Sequence, residues 1–280
     1  MKKKMIYAML LAFAVWFLYH ENTTLDTERH LLSFSSLPAD FDGFRIAQVS
    51  DFHNCQNNKL RESIIRELRE SRPDIIVITG DLIDSRRTDV DSAISFVQAI
   101  RDIAPIYYVT GNHESRVQQY YTLQKKLNDL EITVLHDAAV QLEKGSSHLN
   151  IIGIDDPDFS GVSTLMEETP DMIAWKINDL KERDGFNLVL CHRPELFETY
   201  VSCAVDLVFC GHAHGGQIRL PFIGGLYAPH QGFFPSYTSG CYREANTTMV
   251  VSRGLGNSLA PFRIFDHPNL VIVEMSTQDN

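Results

Sequence analysis

The stretch Ile75-Ile76-Val77-Ile78-Thr79-Gly80-Asp81 decides the fold class of this 280-residue chain. Its β-branched run is apolar on both faces, which is typical of a strand that helices or a second sheet cover on both sides. The run ends on a glycine and a carboxylate, and α/β folds collect their chemistry in the loops at the carboxyl ends of strands. The stretch therefore predicts a buried strand that delivers Asp81 to a functional site.

Four further clusters of polar residues each follow a strand-like run. They are Asp51-Phe52-His53, Gly111-Asn112-His113-Glu114, Cys191-His192 and Gly211-His212-Ala213-His214. With Asp81 they supply two carboxylates, one amide oxygen and four imidazoles, and His113 is left as a spare. This set of ligands can hold two adjacent divalent metal ions, which would clamp the attacking and leaving oxygens of a phosphoryl group. Imidazole and carboxylate ligands without thiolate favour manganese, iron or zinc.

Strand and helix patterns alternate from Phe44 onward, and residues 21–40 are predicted to be a polar linker. Helices are predicted near 60–71, 89–103, 117–130 and 173–180, where apolar residues recur at helical spacing. Strands are predicted near 45–50, 75–79, 106–110, 133–135, 140–142, 149–153, 187–191, 207–210, 248–252 and 270–274. This order predicts an α/β (α+β) architecture in which two mixed sheets pack face to face with helices outside.

Composition excludes two classes of protein. The formal net charge is −11, so a broad basic face that would grip nucleic acid is not expected. The five cysteines are odd in number and show no C-x-x-C spacing, which excludes a complete disulfide framework. We interpret Cys191 and Cys210, which end apolar strands, as small buried residues rather than as thiolate ligands.

The N-terminal residues 1–20 carry a targeting pattern. Lys2, Lys3 and Lys4 precede an apolar run from Met5 to Tyr19. As a helix this run spans about 22 Å, short of a hydrocarbon core of about 30 Å but long enough for a signal-peptide core. No small-residue cleavage site follows it. The pattern favours an uncleaved signal-anchor, single-pass in the cell membrane with the rest of the chain outside the cytoplasm; a cleaved signal peptide and a buried helix are the alternatives.

The motif order D-x-H, G-D, G-N-H-[DE], H and G-H-x-H resembles the calcineurin-like metallophosphoesterase superfamily. The resemblance covers residues 41–276 and is closest to a bacterial, membrane-tethered, phosphodiesterase-like subgroup, on residues such as 191–194, 211–217 and 232–235. It implies a four-layer sandwich and a catalytic domain over 41–276. It also implies two divalent metal ions, with manganese first and iron or zinc as alternatives.

The resemblance also implies roles for individual residues. One metal would be held by Asp51, His53, Asp81 and His214, and the other by Asp81, Asn112, His192 and His212, with Asp81 as the bridge. A hydroxide between the two ions would be the nucleophile. His113 would face the substrate as a catalytic residue. In some relatives an aspartate three residues after the bridge orients this histidine, which gives the hypothesis of an Asp84–His113 dyad.

Other features have two interpretations each. Arg193 would either touch a substrate phosphate or form a salt bridge. The acidic turn of Asp155, Asp156 and Asp158 is interpreted as a polar loop rather than as a second cation site. The segment 221–242 would either pack over the second sheet or form an apolar wall for a lipid-linked or nucleoside-bearing substrate. The remaining histidines are interpreted as structural or exposed: His20, His30, His136, His148, His230 and His267.

These patterns predict a dinuclear-metal-dependent phosphoesterase that hydrolyses a phosphodiester or a phosphomonoester. The alternatives are a hydrolase of a lipid-linked or nucleotide-linked pyrophosphate and a non-catalytic scaffold stabilised by metal. The expected partners are a phosphoester substrate, with lipid linkage as one option, and a membrane contacted through the N-terminal helix.

Overall fold

The structure is a computed structural model that describes residues 2–161, 169–257 and 262–277. The helices are α1 (Lys2–Thr23), α2 (Asn58–Ser71), α3 (Val90–Ile100), α4 (Asn112–Ser115), α5 (Tyr120–Asp129), α6 (Thr169–Leu180) and α7 (Phe197–Ser202). The strands are β1 (Asp26–Phe34), β2 (Arg45–Val49), β3 (Ile75–Thr79), β4 (Ile106–Val109), β5 (Thr133–Val134), β6 (Ala138–Lys144), β7 (Ser147–Gly153), β8 (Phe186–Leu190), β9 (Leu207–Cys210), β10 (Arg219–Leu220), β11 (Gly224–Gly225), β12 (Tyr227–Ala228), β13 (Gly232–Phe233), β14 (Gly240–Glu244), β15 (Thr247–Val251) and β16 (Asn269–Thr277).

Two six-stranded mixed sheets form the centre of the molecule. The first has the order β1-β16-β2-β3-β4-β5 and the second has the order β14-β15-β9-β8-β7-β6. In the first sheet, β2 to β5 are parallel and β16 runs antiparallel to β2. In the second sheet, β7, β8, β9 and β15 are parallel, and β6 and β14 are antiparallel to their neighbours. Both sheets therefore send several carboxyl ends to one edge.

The two sheets bury an apolar layer between them, and helices cover their outer faces. Val77 and Val271 of the first sheet belong to the same buried cluster as Leu188 and Phe209 of the second. Helices α2, α3 and α5 pack on the first sheet, and α6 and α7 pack on the second. This helix–sheet–sheet–helix layering confirms the predicted architecture.

Helix α2 shows how local sequence positions these layers. Asn57 caps its first turn by accepting a hydrogen bond from the Leu60 N–H, and Arg72 ends it in the left-handed conformation. Leu60, Ile64 and Leu68 recur every four residues and are buried against the first sheet. Each such fully buried side chain stabilises the fold by roughly 1.5–3 kcal/mol.

Residues 21–40 differ from the expected linker. Nine of its residues form β1, which pairs in parallel with β16 from Asp26 opposite Asn269 to Phe34 opposite Thr277. The strand is at the sheet edge and is only half-buried, so its sequence lacks the apolar run that marks β3. The pairing partner lies more than 240 positions away, which a local pattern does not reveal.

The expectation of a membrane-spanning segment at residues 1–20 is not supported. Within the described ranges, every helix is too short or too weakly apolar to pass through a bilayer. In α1 the apolar run is flanked by Lys4 on one side and by His20 and Glu21 on the other. The C-terminal part of α1 packs on the domain, where Phe17 contacts Phe265 with ring centroids 5.3 Å apart.

The cysteines do not pair with one another. All five are free, and Cys191 and Cys210 are fully buried, as the sequence predicts for small apolar residues.

Candidate metal centre

The predicted ligands converge because both sheets end at the same edge. Asp51, Asp81 and Asn112 follow β2, β3 and β4 of the first sheet, and His192 and His212 follow β8 and β9 of the second. The two sheets are linked here by the side chain of Gln48, which donates to the carbonyl oxygen of Cys210 at 2.8 Å.

The backbone of these loops is unusual. Asp51, His53, Asp81, His212 and His214 all have φ between +47° and +67°. This left-handed region costs a non-glycine residue of order 1–3 kcal/mol, and such residues cluster at functional sites. Five strained residues in three loops therefore indicate that the fold is arranged around this site.

Glycine allows two of the loops to approach each other closely. A Cβ on Gly80 would lie 2.6 Å from the backbone nitrogen of Gly111, and a Cβ on Gly111 would lie 2.3 Å from Asp81 Oδ1. Neither position has room for a side chain, so both glycines are needed to bring Asp81 beside Asn112.

The first group of ligands consists of Asp51, His53, Asp81 and His214. Their ligand atoms all lie within 4.8 Å of one another. His214 Nε2 is 3.2 Å from Asp51 Oδ1 and 3.1 Å from His53 Nε2, and His53 Nε2 is 3.6 Å from Asp81 Oδ2. All four residues are buried.

The second group consists of Asp81, His192 and His212, whose ligand atoms also lie within 4.8 Å of one another. His192 Nε2 is 3.3 Å from Asp81 Oδ2 and 3.2 Å from His212 Nδ1. The amide of Asn112 lies 3.0 Å from His212 Nδ1. Asp81 belongs to both groups, as the bridging role requires.

The chemistry of these contacts fits two cations. His192 Nδ1 donates to the carbonyl oxygen of Thr79 at 2.7 Å, so the nitrogen of His192 that a cation can take, once it has lost its proton, is Nε2, which faces His212 Nδ1. The amide of Asn112 lies between His212 Nδ1 and the Arg116 guanidinium, and its nitrogen can donate to His212 Nδ1 at 3.0 Å while its oxygen accepts from Arg116. A cation among these acceptors would stabilise the arrangement, because neutral imidazoles and amide oxygens are metal ligands.

The carboxylates of the site are held in their ionised form. Burial alone would raise the pKa of Asp51, but His214 and His192 lower it to about 2. Burial likewise opposes ionisation of Asp81, yet His192 holds the pKa of Asp81 well below its usual range. In return, Asp81 and Asp51 outweigh burial and raise the pKa of His192 to about 10.

Glu114 has a structural role in the site. Its carboxyl oxygens accept hydrogen bonds from the N–H groups of Asp81, Ile83 and Gly111 at 2.8–3.1 Å. Burial and the charge of Asp81 raise the pKa of Glu114 to about 8. Glu114 thus joins the loops after β3 and β4 without facing the ligand cluster.

His113 is oriented by a residue other than the one expected. The N–H of Ser85 donates to His113 Nδ1 at 2.9 Å. Asp84 Oδ1 is 3.8 Å from the same nitrogen, too far for a hydrogen bond, and accepts instead from the Arg86 N–H at 2.7 Å. Because a backbone N–H can only donate, neutral His113 carries its proton on Nε2. Burial lowers the pKa of His113, which favours this neutral form.

Arg193 lies in ion pairs beneath the site. Its side chain is 1% exposed, and it donates to both oxygens of Asp156 at 2.5 and 2.8 Å and to Asp158 at 3.1 Å. The structure therefore places it in the salt bridge, and two carboxylates of the acidic turn neutralise it. The third, Asp155, contacts His136 Nδ1 at 3.0 Å.

A cavity of about 170 Å³ opens over the ligand cluster. Its lining includes His113 and four residues that the sequence analysis did not connect with the site: Ser85, Arg86, Arg116 and His230. Arg86 and Arg116 are nearly half exposed and pair with Asp84 and Asp158. Both arginines stand close to a ligand cluster in the sequence, and this proximity could have identified them as site residues. No comparable sequence pattern marks His230.

The segment 221–242 divides between its two interpretations. Tyr237 and Tyr242 pack on Phe197 of α7. Phe233 and Phe234, by contrast, are 71% and 63% exposed. Of this segment, only Pro229 and His230 line the cavity, so the phenylalanines do not form a wall of it.

Comparisons with known proteins agree with this geometry. The family model described as calcineurin-like phosphoesterase matches residues 44–216. An uncharacterized metallophosphoesterase of Bacillus subtilis, YkuE, is 30% identical over 265 residues, covering 92% of this chain and 88% of that protein. The phosphodiesterase YaeI of Escherichia coli is 27% identical over 266 residues, covering 92% of this chain and 90% of that protein.

Among solved structures, the sulfate thiohydrolase SoxB of Thermus thermophilus superposes with a TM-score of 0.50 at 11% identity. The match covers 86% of this chain and 57% of that one, and it concerns the fold alone. The family model spans more than half of the chain, and the relative from Bacillus subtilis matches along most of both sequences. The chain therefore belongs to the calcineurin-like phosphoesterase family of metal-dependent hydrolases.

Proposed function

We propose that this chain hydrolyses phosphodiesters with two divalent cations at the cluster centred on Asp81. The single observation that carries the proposal is that two groups of buried ligands share this carboxylate. Within each group, facing nitrogen and oxygen atoms of the ligands lie 3.1–3.6 Å apart. Atoms that bind the same cation are separated by such distances.

The cations, when bound, would lower the pKa of water toward neutrality and balance the charge of the phosphate. The protein supplies the remaining steps. Its neutral His113 carries a proton on Nε2 at the cavity, where it can donate to a phosphate oxygen or to the leaving oxygen. Arg86 and Arg116 line the same cavity and can bind the non-reacting phosphate oxygens, since guanidinium groups match their geometry.

The preference for diesters over monoesters is supported by the Escherichia coli relative, whose name is phosphodiesterase. A diester carries one negative charge fewer than a monoester dianion, which suits a rim where Asp84 and Asp158 partly neutralise the two arginines. Among the cations, manganese is proposed first, because nitrogen and oxygen ligands without thiolate accept it.

The test is hydrolysis of bis(p-nitrophenyl) phosphate against p-nitrophenyl phosphate by metal-stripped protein. Manganese, iron, zinc or magnesium is added back separately, and elemental analysis counts the bound ions. The H212N variant removes one ligand, and H148N is the matched control because His148 is half-exposed and pairs with Glu182 outside the site. We expect metal-dependent diester cleavage in the wild type and H148N and its loss in H212N.

Three results would overturn the proposal. One is cleavage that persists in H212N. Another is a protein that binds two ions and turns over neither ester nor a pyrophosphate diester, which would favour the scaffold alternative. A stronger rate with the monoester would overturn the diester preference alone.

We also propose that the enzyme works at a lipid surface. The lysine cluster at residues 2–4 predicts that this surface is on the extracytoplasmic side of the membrane. Helix α1 exposes large apolar side chains along most of its length. Its contact between Phe17 and Phe265 connects this surface to the loop at Ile264, which bridges to Ile218. Phe222, four residues further along the chain, is also exposed. Apolar surfaces of this extent mark sites of interaction, and the N-terminal lysines suit anionic lipid headgroups.

Sedimentation of the full chain with vesicles of phosphatidylglycerol and phosphatidylcholine tests this proposal. The variant F222S/F233S/F234S removes three exposed phenylalanines, and W175S removes an equally exposed aromatic residue of α6 as the control. We expect binding that W175S retains and the triple variant weakens. Absence of binding by the wild type to anionic vesicles would refute the proposal.

A further inference from the structure

A second, larger cavity adjoins the metal centre. Its volume is about 480 Å³, whereas the cavity over the ligand cluster measures about 170 Å³. Binding sites for small molecules typically measure about 300–1,000 Å³, so the larger of the two cavities has the size of such a site. The smaller one can hold the reacting phosphate, and the alcohol groups of a diester need further space.

The two cavities adjoin at His53. The ring of His53 lines the larger cavity. It contacts the rings of His113 and His214, with centroids 4.6 and 5.0 Å apart, and both of these residues line the smaller cavity. An alcohol group on a phosphate above the ligand cluster can therefore extend past His53 into the larger cavity.

The loop after β3 contributes to both cavities. Ser85 and Arg86 line the smaller cavity, and Asp84 and Arg87 line the larger one. Arg86 pairs with Asp84 at 3.4 Å, whereas Arg87 forms no ion pair with any residue in the described ranges. The guanidinium of Arg87 carries only donors and is available to a ligand in the larger cavity.

Amide side chains form much of the wall of the larger cavity. Gln56 Nε2 donates to the carbonyl oxygen of Asn54 at 3.0 Å and to Asp89 Oδ2 at 3.1 Å, which leaves the amide oxygen of Gln56 as an acceptor. On the side of α1, Asn22 Oδ1 accepts a hydrogen bond from the amide of Asn257 at 3.1 Å. The wall thus offers both donors and acceptors, and a hydroxyl group can bond to either.

The described lining residues fit two other kinds of group poorly. They include no phenylalanine, tyrosine or tryptophan, so a nucleobase would lack a large aromatic face on which to stack. Two carboxylates, Asp84 and Asp89, stand against the single guanidinium of Arg87, so a second phosphate would be repelled. A neutral alcohol with several hydroxyl groups fits this lining.

We propose that the larger cavity binds a neutral, hydroxyl-rich alcohol of the diester, such as a glycerol or sugar unit, with Arg87 and Gln56 as specificity-determining residues. Arg87 donates to a hydroxyl oxygen, and the amide oxygen of Gln56 accepts from a hydroxyl hydrogen. The inference rests on the proposed dinuclear site, which holds the phosphate next to this cavity, and it names the class of diester that the site selects.

The experiment measures the inhibition constant KI of symmetric diesters against cleavage of bis(p-nitrophenyl) phosphate by the manganese-loaded full chain. The competitors are bis(glyceryl) phosphate, diethyl phosphate and the dinucleoside phosphate of thymidine. Because each competitor carries the same alcohol on both sides, the result does not depend on which side enters the cavity. Saturation-transfer NMR on metal-stripped protein reports binding of bis(glyceryl) phosphate without turnover.

Two variants and two matched controls are compared with wild type. R87A removes the guanidinium, and Q56W fills the cavity from an exposed position. R183A removes an exposed arginine that lines a different cavity near the second sheet. Q98W places the same large side chain at an exposed position of α3, outside the described lining.

We expect wild type to bind bis(glyceryl) phosphate about 10-fold more tightly than diethyl phosphate, which has no hydroxyl group, and more tightly than the thymidine diester. R87A should raise KI for bis(glyceryl) phosphate by about 10- to 100-fold, since it removes a charge-assisted hydrogen bond. Q56W should raise it as well, and both controls should match wild type. Competition by phosphatidylglycerol vesicles that exceeds that of bis(glyceryl) phosphate would support a lipid as the source of the alcohol, and the reverse order would support a soluble ester.

Three results would overturn the inference while leaving the proposed function intact. They are equal KI values for bis(glyceryl) and diethyl phosphate in wild type, a lower KI for the thymidine diester, and unchanged KI values in both R87A and Q56W. A wild type that cleaves no ester would overturn the proposed function, and the NMR measurement then decides about the cavity. Saturation transfer to bis(glyceryl) phosphate that Q56W abolishes would support the inference, and its absence in wild type would overturn it.

Discussion

The backbone N–H of Ser85 donates to His113 Nδ1 at 2.9 Å, while the carboxylate of Asp84 stays 3.8 Å from the same nitrogen. A main-chain donor fixes the imidazole without adding a charge beside it. An aspartate in that place would stabilise the protonated ring instead. His113 is therefore set to present a proton on Nε2 as a neutral group, and Asp84 is engaged in ordering Arg86.

This relationship predicts different effects for two substitutions. H113A should lower kcat for bis(p-nitrophenyl) phosphate by about 10²–10⁴-fold, the usual contribution of a positioned acid. D84N should leave kcat close to wild type, because the amide oxygen of the introduced asparagine can still accept the Arg86 N–H. Steady-state kinetics at saturating manganese make the comparison. Equal losses in D84N, H113A and the double variant would instead establish the coupled dyad that the sequence suggests.

Replacing the shared carboxylate should affect both cations. D81N removes the negative charge that lies among His53, His192 and the remaining ligands. We expect elemental analysis to find fewer than two ions per chain in D81N. D129N is the control, because Asp129 is an exposed residue that pairs with Lys125 on α5. Two ions bound with unchanged affinity in D81N would contradict the bridging role.

The close approach of two loops predicts a difference between two glycines. In G80A the new Cβ would meet Gly111 N at 2.6 Å and His192 Nδ1 at 2.7 Å, with φ at +88°. In G43A, with φ at +73°, it would meet no atom within 4 Å. Urea denaturation should show that G43A costs roughly 1–2 kcal/mol from backbone strain alone. G80A should cost roughly 1–3 kcal/mol more from overpacking, and equal costs would refute the proposed contact.

The positively charged rim predicts an effect on substrate binding. R116A removes a guanidinium from the cavity that also contains His113. Because a hydrogen bond to a charged group contributes about 1.5–3 kcal/mol, KM for the diester should rise by roughly 10- to 100-fold with a smaller change in kcat. R101A, at an exposed position beside Asp102, should leave KM unchanged. A fall in kcat alone would place Arg116 outside the binding step.

The ligand cluster could be predicted from the sequence because each ligand stands immediately after its own strand. Strand β3 and the residues Gly80 and Asp81 form a local pattern, and parallel strands bring such patterns to one edge by geometry alone. Strand β1 could not be predicted in the same way, because its pairing with β16 is a contact between the two ends of the chain. Because β1 is half-buried at the edge of the sheet, apolar and polar residues do not alternate clearly along it.

The residues that contact the metal ligands and His113 could not be predicted from the sequence either. Ser85 contacts His113 Nδ1 through its main-chain N–H at 2.9 Å and its hydroxyl at 3.1 Å, and no sequence pattern marks a serine for that contact. His230 is a single histidine in a loop of many aromatic residues, and its contact with His212 depends on how that loop folds back over the second sheet. Arg193 could be given either of two roles until its burial between Asp156 and Asp158 was known. Contacts of this kind are set by tertiary packing.

The pair of His136 and Asp155 predicts a dependence of stability on pH. The hydrogen bond from His136 to Asp155 raises the pKa of His136 above its ordinary value of 6.5. A histidine whose pKa is raised in the folded state adds stability below pH 6.5, and that stability disappears as the pH rises through the raised pKa. The free energy of unfolding of wild type minus that of D155N should therefore be largest near pH 6 and shrink toward pH 9. Subtraction cancels the titration of the metal ligands, which both proteins share, and asparagine can still accept the hydrogen bond from Thr110. A difference that stays constant or grows with pH would show that the pair does not hold a protonated histidine.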